Sequence, residues 1–539
     1  MTRPRALVML LALALFAWNA WGYDLWAPDE PYFGEGAREM VADGEWLVPH
    51  VNGEITTDKP PLFFWAIALF SLPFGGVPSF TARLPSILAG LGSVWLVMHL
   101  GRRLGSERAG LLAGVVFATA YLPWDKARTA QIEALLCFLV LAALSAFEAF
   151  RAGDLDGRRA GLVFWIAAGL ATLAKGPVGL LLPLGVALLT LLVDRDLRAW
   201  RRFAPVSGPL VFLAVIAAWG VPASLFGGEY SLIGALRTHF VDRGLHGLHH
   251  RNPPWYYLQT IPVQFLPWSG LLPLALADGW RRRSEAAIRL LLAWPLFIVL
   301  FFTLSGERRD LYVMPAFPAL ALLVALAVEP LLGGSAAAFG RRWVTLPQGS
   351  LGAIFLAAGI ALPLLPPRPA FELGASLWPA AVALAGGGLV MLGCAVRGGV
   401  RQTIVATATT IMAVYLAVVS FVLPAANPGK SMRALAVAMR DASAASRAAG
   451  ERVAAYRLSN VPEALAFYSG VYTLEFQEIG RLVRHLERPG EVFALLDERA
   501  LAELPTALRE RLTVVARQER ARNTVLLVTN RPAAGRASP

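Results

Sequence analysis

The chain has 539 residues, 56% of them hydrophobic and only 16% charged, a balance that excludes an ordinary soluble protein. Lys and Arg outnumber Asp and Glu by 49 to 37, a net charge of +12, but the arginines fall in short loops between apolar runs, so the excess reads as membrane topology and not as nucleic-acid binding. The apolar runs are continuous, which excludes a porin-like barrel, and Cys137 and Cys394 lie inside such runs, forming neither a CxxC metal pair nor a disulfide framework.

Arg3 and Arg5 followed by an apolar run to Tyr23 have the shape of a signal peptide. Bulky Trp18 and Trp21 spoil a cleavage site, so this run is expected to be a retained first span. Further apolar runs fall near 82–100, 109–123, 131–150, 160–173, 177–193, 205–223, 258–279, 284–304, 312–332, 349–366, 376–395 and 403–423, making thirteen with the first. Alternate connections hold the arginines, among them Arg102, Arg103, Arg108, Arg151, Arg195, Arg281, Arg341 and Arg397. Those loops are therefore cytoplasmic. The run Pro61 to Phe74 is only about 14 residues long, and a crossing there would invert the arginine pattern, so it is expected to lie in the interface or re-enter.

The expected architecture is an all-α polytopic membrane protein, residues 1–423, with a small α/β domain, residues 424–539, on the outer face. The long outer loops 24–81 and 224–257 carry the candidate site. The tail domain follows from short strand-like segments at Val453 to Tyr456, Val492 to Leu496, Leu512 to Ala516 and Thr524 to Thr529, separated by helical stretches Ser431 to Ala445 and Arg499 to Arg511. It has no P-loop and no G-x-G-x-x-G, and no nucleotide is expected.

The first outer loop interleaves carboxylates and aromatics. Asp29 and Glu30, flanked by Pro28 and Pro31, stand out, because a carboxylate held just outside the bilayer suits a general base or a metal ligand. Three of the seven histidines, His246, His249 and His250, fall within five residues. The i, i+4 pair suits a divalent metal, zinc or alternatively magnesium or manganese, with phosphate or acceptor binding as the other reading.

In family order the chain also carries "REMVADGEWLVPHVNG" from Arg38 to Gly53, "DKPPLFFW" from Asp58 to Trp65, "ARTAQIEALL" from Ala127 to Leu136, "LAKGPVG" from Leu173 to Gly179, "NPPWYYL" from Asn252 to Leu258 and "YVMPAFPALALL" from Tyr312 to Leu323. The ordered set resembles the polyprenyl-phosphate-dependent glycosyltransferases of the GT-C fold, in particular the protein mannosyltransferase and lipid A aminoarabinose transferase superfamily. The resemblance implies an enzyme of the bacterial inner membrane, its N-terminus cytoplasmic and its C-terminal domain periplasmic. Such an enzyme moves a sugar from undecaprenyl phosphate to a periplasmic acceptor with inversion, first of all aminoarabinose to lipid A phosphate. Another lipopolysaccharide, cell-envelope or protein acceptor is the alternative.

By the same resemblance Asp29 is the base or acceptor-positioning carboxylate, with Glu30 as runner-up. Glu133 stands where relatives carry an aspartate. Lys59 resembles the family's phosphate-contacting lysine, and Arg128, Arg237 and Arg243 are further outer cations for the donor phosphate. Tyr312 follows the turn at 305–310 that resembles a gate near the lipid cavity. Lys175 matches a family motif or simply closes a hairpin. Asp58, immediately before the lysine-proline pair, adds a carboxylate to the histidine metal set. A secondary transporter is the rival of another class, but it would place ionisable residues mid-span and show internal repeats, and neither is evident here.

Overall fold

The computed structural model describes residues 3–228, 230, 252–333, 338–364, 373–459, 461–520 and 523–531. Each apolar run read from the sequence is helical within them. In chain order the first helices are α1 (Arg3–Ala17), α2 (Asp29–Asp43), α3 (Leu62–Ser71), α4 (Ser79–Leu104), α5 (Glu107–Thr119) and α6 (Tyr121–Ala127). They are followed by α7 (Glu133–Arg151), α8 (Gly157–Lys175), α9 (Val178–Val193) and α10 (Ser207–Phe226). Beyond residue 251 come α11 (Tyr256–Gln264), α12 (Leu272–Arg281), α13 (Ala286–Leu304), α14 (Phe317–Val328), α15 (Ala338–Ala361), α16 (Trp378–Val396), α17 (Val400–Ala417) and α18 (Leu423–Lys430).

Among the described residues eight helical stretches are each long and apolar enough to cross a bilayer, or nine if the pair α11 and α12, bent by 115°, is one broken span. The difference from thirteen runs has a physical origin. Several runs fold as helices below the roughly 20-residue crossing length, such as the 15 residues of α1 and the 16 of α9. Within Asp310–Leu332, 94% of the 18-residue apolar window is buried, and this segment forms the centre of the bundle, as its all-round apolar sequence requires. α15 and α16 meet backbone to backbone, and a Cβ on Gly388 would lie 2.5 Å from the carbonyl oxygen of Gly352. Small residues permit that approach. The short run after Pro61 is α3 with a 3-10 turn at Leu72–Phe74.

The tail begins with α19 (Arg433–Ala442) and continues as β3 (Val453–Tyr456), α20 (Pro462–Ser469), β4 (Thr473–Phe476), α21 (Ile479–Leu486), β5 (Phe493–Asp497), α22 (Glu498–Glu503), β6 (Thr513–Glu519) and β7 (Thr524–Thr529). The sheet order is β4-β3-β5-β7-β6, with β3 parallel to β4 and β5, and β7 antiparallel to β5 and β6. Four strands lie within a few residues of their expected places. β4 was not anticipated, because "TLEF" is short and half polar.

A hairpin of β1 (His50–Val51) and β2 (Glu54–Ile55) turns at Asn52 and Gly53, both with positive φ (58° and 75°), the backbone an Asn-Gly turn supplies. The Asn52 side chain donates to the Thr473 carbonyl at 3.1 Å and accepts from the Thr473 N–H at 2.9 Å, joining the first loop to the head of β4. The Tyr468 hydroxyl of α20 accepts from the Leu25 N–H at 2.7 Å and donates to the Leu25 carbonyl at 3.0 Å. The tail domain is thus seated on the first loop.

Under that loop Arg83 of α4 is fully buried with all five donors used. Its guanidinium donates to both oxygens of Glu30 (2.8 and 3.1 Å) and to the carbonyls of Ala20, Tyr23 and Asp24. It also lies 3.8 Å from the centre of the Tyr23 ring. Breaking one side of a buried pair leaves an uncompensated charge, which costs about 3–5 kcal/mol. Arg83→Met is therefore expected to lower stability by about that amount, whereas the double variant Arg83→Met/Glu30→Gln should recover a measurable part of it. Chemical unfolding of the purified protein in detergent measures both.

Candidate active site

The elements that converge beside the tail domain enclose a cavity of about 350 Å³. Asp29 is the first residue of α2 and Glu133 the first of α7, while Asp58 and Lys59 precede α3. Lys175 is the last residue of α8; Glu307, Arg309 and Tyr312 come from the stretch after α13, and Glu463 from the first turn of α20. Two of these carboxylates begin helices and Lys175 ends one, so each charge sits at the helix terminus whose partial charge favours it.

Asp29 Oδ2 accepts from Gln131 Nε2 at 2.7 Å and lies 3.4 Å from Arg309 Nη2. Its Oδ1 accepts no hydrogen bond from a described residue. Burial, reinforced by the charge of Glu133, pushes the Asp29 carboxyl above the usual carboxylate range, and Arg309, Lys126 and Lys175 draw it only part of the way back. A carboxylate so placed lines the cavity with one oxygen unbonded to described residues and has a raised proton affinity, the two properties a base or positioning group needs.

Three cations face the same space. Lys59 Nζ contacts Asp58 Oδ2 at 2.9 Å, and Lys175 Nζ contacts Glu133 Oε1 at 2.8 Å while lying 4.8 Å from the centre of the Tyr312 ring. Arg309 is the third, and its carbonyl accepts from the Tyr257 hydroxyl at 3.2 Å. The turn that carries it is tied to residue 252 by reciprocal bonds, Arg308 to the Asn252 carbonyl (2.6 Å) and Asn252 to the Arg308 carbonyl (2.8 Å). From the tail, Glu463 Oε2 is buried with no hydrogen-bond partner, and burial pushes its carboxyl up.

The cavity therefore unites Asp29, Glu133, Lys59, Asp58, Lys175 and Tyr312 of the residues singled out in the sequence. Glu30, one residue from Asp29, points the other way. Burial alone would raise it, but Arg83 and the N–H groups of Ala130 and Trp26 hold its carboxyl below the usual range. Arg128 is also outside the lining; it is 1% exposed and donates to the Leu15 and Trp18 carbonyls at the end of α1. Its charge meets the negative end of that helix. Arg237, Arg243, His246, His249 and His250 lie outside the described residues. Among the described residues no cluster of three His, Cys, Asp or Glu side chains could hold a metal, and the Asp58 carboxylate is engaged by Lys59. Gln131, Arg309 and Glu463 were not singled out. The first two lie within or beside noted motifs, whereas nothing in the local sequence of Glu463 marks it.

Residues 58–221, which contain Lys59, Gln131, Glu133 and Lys175, match the family described as dolichyl-phosphate-mannose-protein mannosyltransferase. The undecaprenyl phosphate-alpha-4-amino-4-deoxy-L-arabinose arabinosyl transferases of Aeromonas salmonicida and Pseudomonas aeruginosa are each 32% identical. The matched regions cover 64% of this chain and 63% of the first, and 66% and 65% in the second comparison. The chain is a relative of these transferases. It spans a little under two thirds of their length in the matched regions. The crystal structure of ArnT from Cupriavidus metallidurans bound to undecaprenyl phosphate superposes over 99% of both chains with a TM-score of 0.78 at 22% identity. That likeness establishes the fold: a multi-span GT-C membrane protein with a small C-terminal sheet domain.

The charges around Asp29 act on its titration in opposite directions. Glu133→Gln removes a negative charge and is expected to move the Asp29 midpoint to lower pH, whereas Arg309→Gln removes a positive charge and should move it to higher pH. The infrared carboxyl band lost in Asp29→Asn, followed against pH in each background, checks both signs.

Proposed function

We propose that the protein is an inverting glycosyltransferase that moves a sugar from undecaprenyl phosphate to an acceptor outside the cytoplasmic membrane, with aminoarabinose and lipid A phosphate as the first choice of sugar and acceptor. The observation that carries this reading is the unbonded Oδ1 of Asp29 in a cavity shared with Lys59, Lys175 and Arg309. The names of the two arabinosyl transferases and the lipid bound to the structural neighbour support the choice of donor. The arginine-rich connections support an N-terminus in the cytoplasm, with the cavity and the tail domain, residues 424–539, facing the periplasm of a bacterial inner membrane.

In this mechanism the acceptor oxygen attacks the anomeric carbon opposite the phosphate. The new C–O bond forms as the bond from that carbon to the phosphate oxygen breaks, and the electron pair leaves on undecaprenyl phosphate. Lys59 and Arg309, with Lys175 behind them, stabilise the charge that develops there. Glu133 keeps Lys175 in place. A hydroxyl acceptor passes its proton to Asp29; a lipid A phosphate is already anionic, and for it Asp29 positions the nucleophile.

Lipid A from a deletion strain complemented with wild type is expected to gain a pentosamine-sized mass on phosphate, and the empty vector should restore nothing. Identical lipid A in both strains would overturn that acceptor. With purified enzyme, Lys59→Met and Arg309→Met should raise the KM for the lipid-linked donor whichever acceptor is used. Asp29→Asn should lower kcat with a hydroxyl acceptor by about a hundredfold to ten-thousandfold, and much less with a phosphate acceptor.

A further inference from the structure

At the end of the bundle opposite the Asp29 cavity, α1, α5 and α17 do not pack fully against one another. They leave a groove of about 700 Å³. Its walls are apolar: Leu7 and Leu11 from α1, Leu111 and Val115 from α5, Val405 and Met412 from α17. Leu7 and Val405 are each more than half exposed (57% and 53%). An apolar trough of this kind in a membrane protein accepts a lipid chain.

The charged residues of the lining are Arg108, on the first turn of α5, and Arg401, on the first turn of α17. Both are exposed, and neither makes an ion pair with a described residue. Glu107, the acid adjacent to Arg108, is held by Arg5. Two uncompensated guanidinium groups at the mouth of an apolar groove are complementary to a phosphate headgroup above an acyl chain. They also repel the ammonium of a zwitterionic lipid.

We propose that this groove is a binding site for an anionic phospholipid of the leaflet at the N-terminal ends of α1, α5 and α17, with the headgroup phosphate between Arg108 and Arg401 and a chain along α1. The bound lipid joins α1, which leads directly into the loop carrying Asp29, to α17, which leads through α18 to the tail domain. The site is separate from the donor cavity and does not depend on the transferase reading.

The test uses the full chain reconstituted in nanodiscs of phosphatidylethanolamine and phosphatidylglycerol, followed by native mass spectrometry of the lipids that stay bound. Wild type is expected to retain phosphatidylglycerol in preference, and Arg108→Gln/Arg401→Gln should reduce that preference by roughly fivefold per arginine. Thr409→Trp, at an exposed lining position, fills the groove without altering charge and should reduce retention of both lipids. Equal retention of the two lipids by wild type, an unchanged preference in the double variant, or undiminished retention in Thr409→Trp would each overturn the proposal.

Discussion

The buried Arg83 fork is the constraint on which the outer end of the molecule depends. One guanidinium binds the carbonyls that follow α1, the carboxylate at the start of α2 and, through Glu30, the Ala130 N–H ahead of α7. A buried charge of this kind is tolerated only when every donor and acceptor is satisfied. That requirement leaves the first loop a single conformation. Asp29, adjacent to Glu30 at the start of α2, is therefore turned toward the cavity while its neighbour is turned away.

The same logic extends to the tail domain. Asn52 and Leu25 of the first loop are bonded to β4 and α20, and Asp24 accepts from Asn427 and Ser431 at the junction that leads into α19. A Cβ on Gly34 would lie 3.0 Å from the Phe467 ring, so the domain packs directly on α2. Seated there, α20 brings Glu463 into the cavity wall. The cavity then holds carboxylates and cations in close alternation, with Lys59 held by Asp58 and Lys175 by Glu133.

The other end of the bundle is built differently. Arg151 binds Glu148 at 2.6 Å and Asp194 at 2.5 Å, and Arg289 also binds Asp194, tying α7, the end of α9 and the start of α13 together. These charges are mutually compensated and serve packing. Arg108 and Arg401 at the same end make no ion pair with a described residue, and both line an apolar groove.

What the sequence determined by itself is whatever depends on local pattern. Continuous apolar runs require helices, and short apolar segments of strand length in the tail require strands. That Lys59 and Asp29 share one outer-face cavity was legible because both lie in motifs of the first outer loop. Tertiary structure alone decided what depends on direction and on distant partners. Asp29 and Glu30 are adjacent and chemically equivalent in sequence, and only the position of Arg83, 53 residues away from Glu30, assigns one to the cavity and the other to the core. Arg128 reads as an outer-face cation until the end of α1 is placed against it. Glu463 joins the site from a separate domain, and no local pattern encodes which helix of that domain meets the membrane, because that choice rests on contacts made by the Asn52 turn and Tyr468 across more than 400 residues of chain.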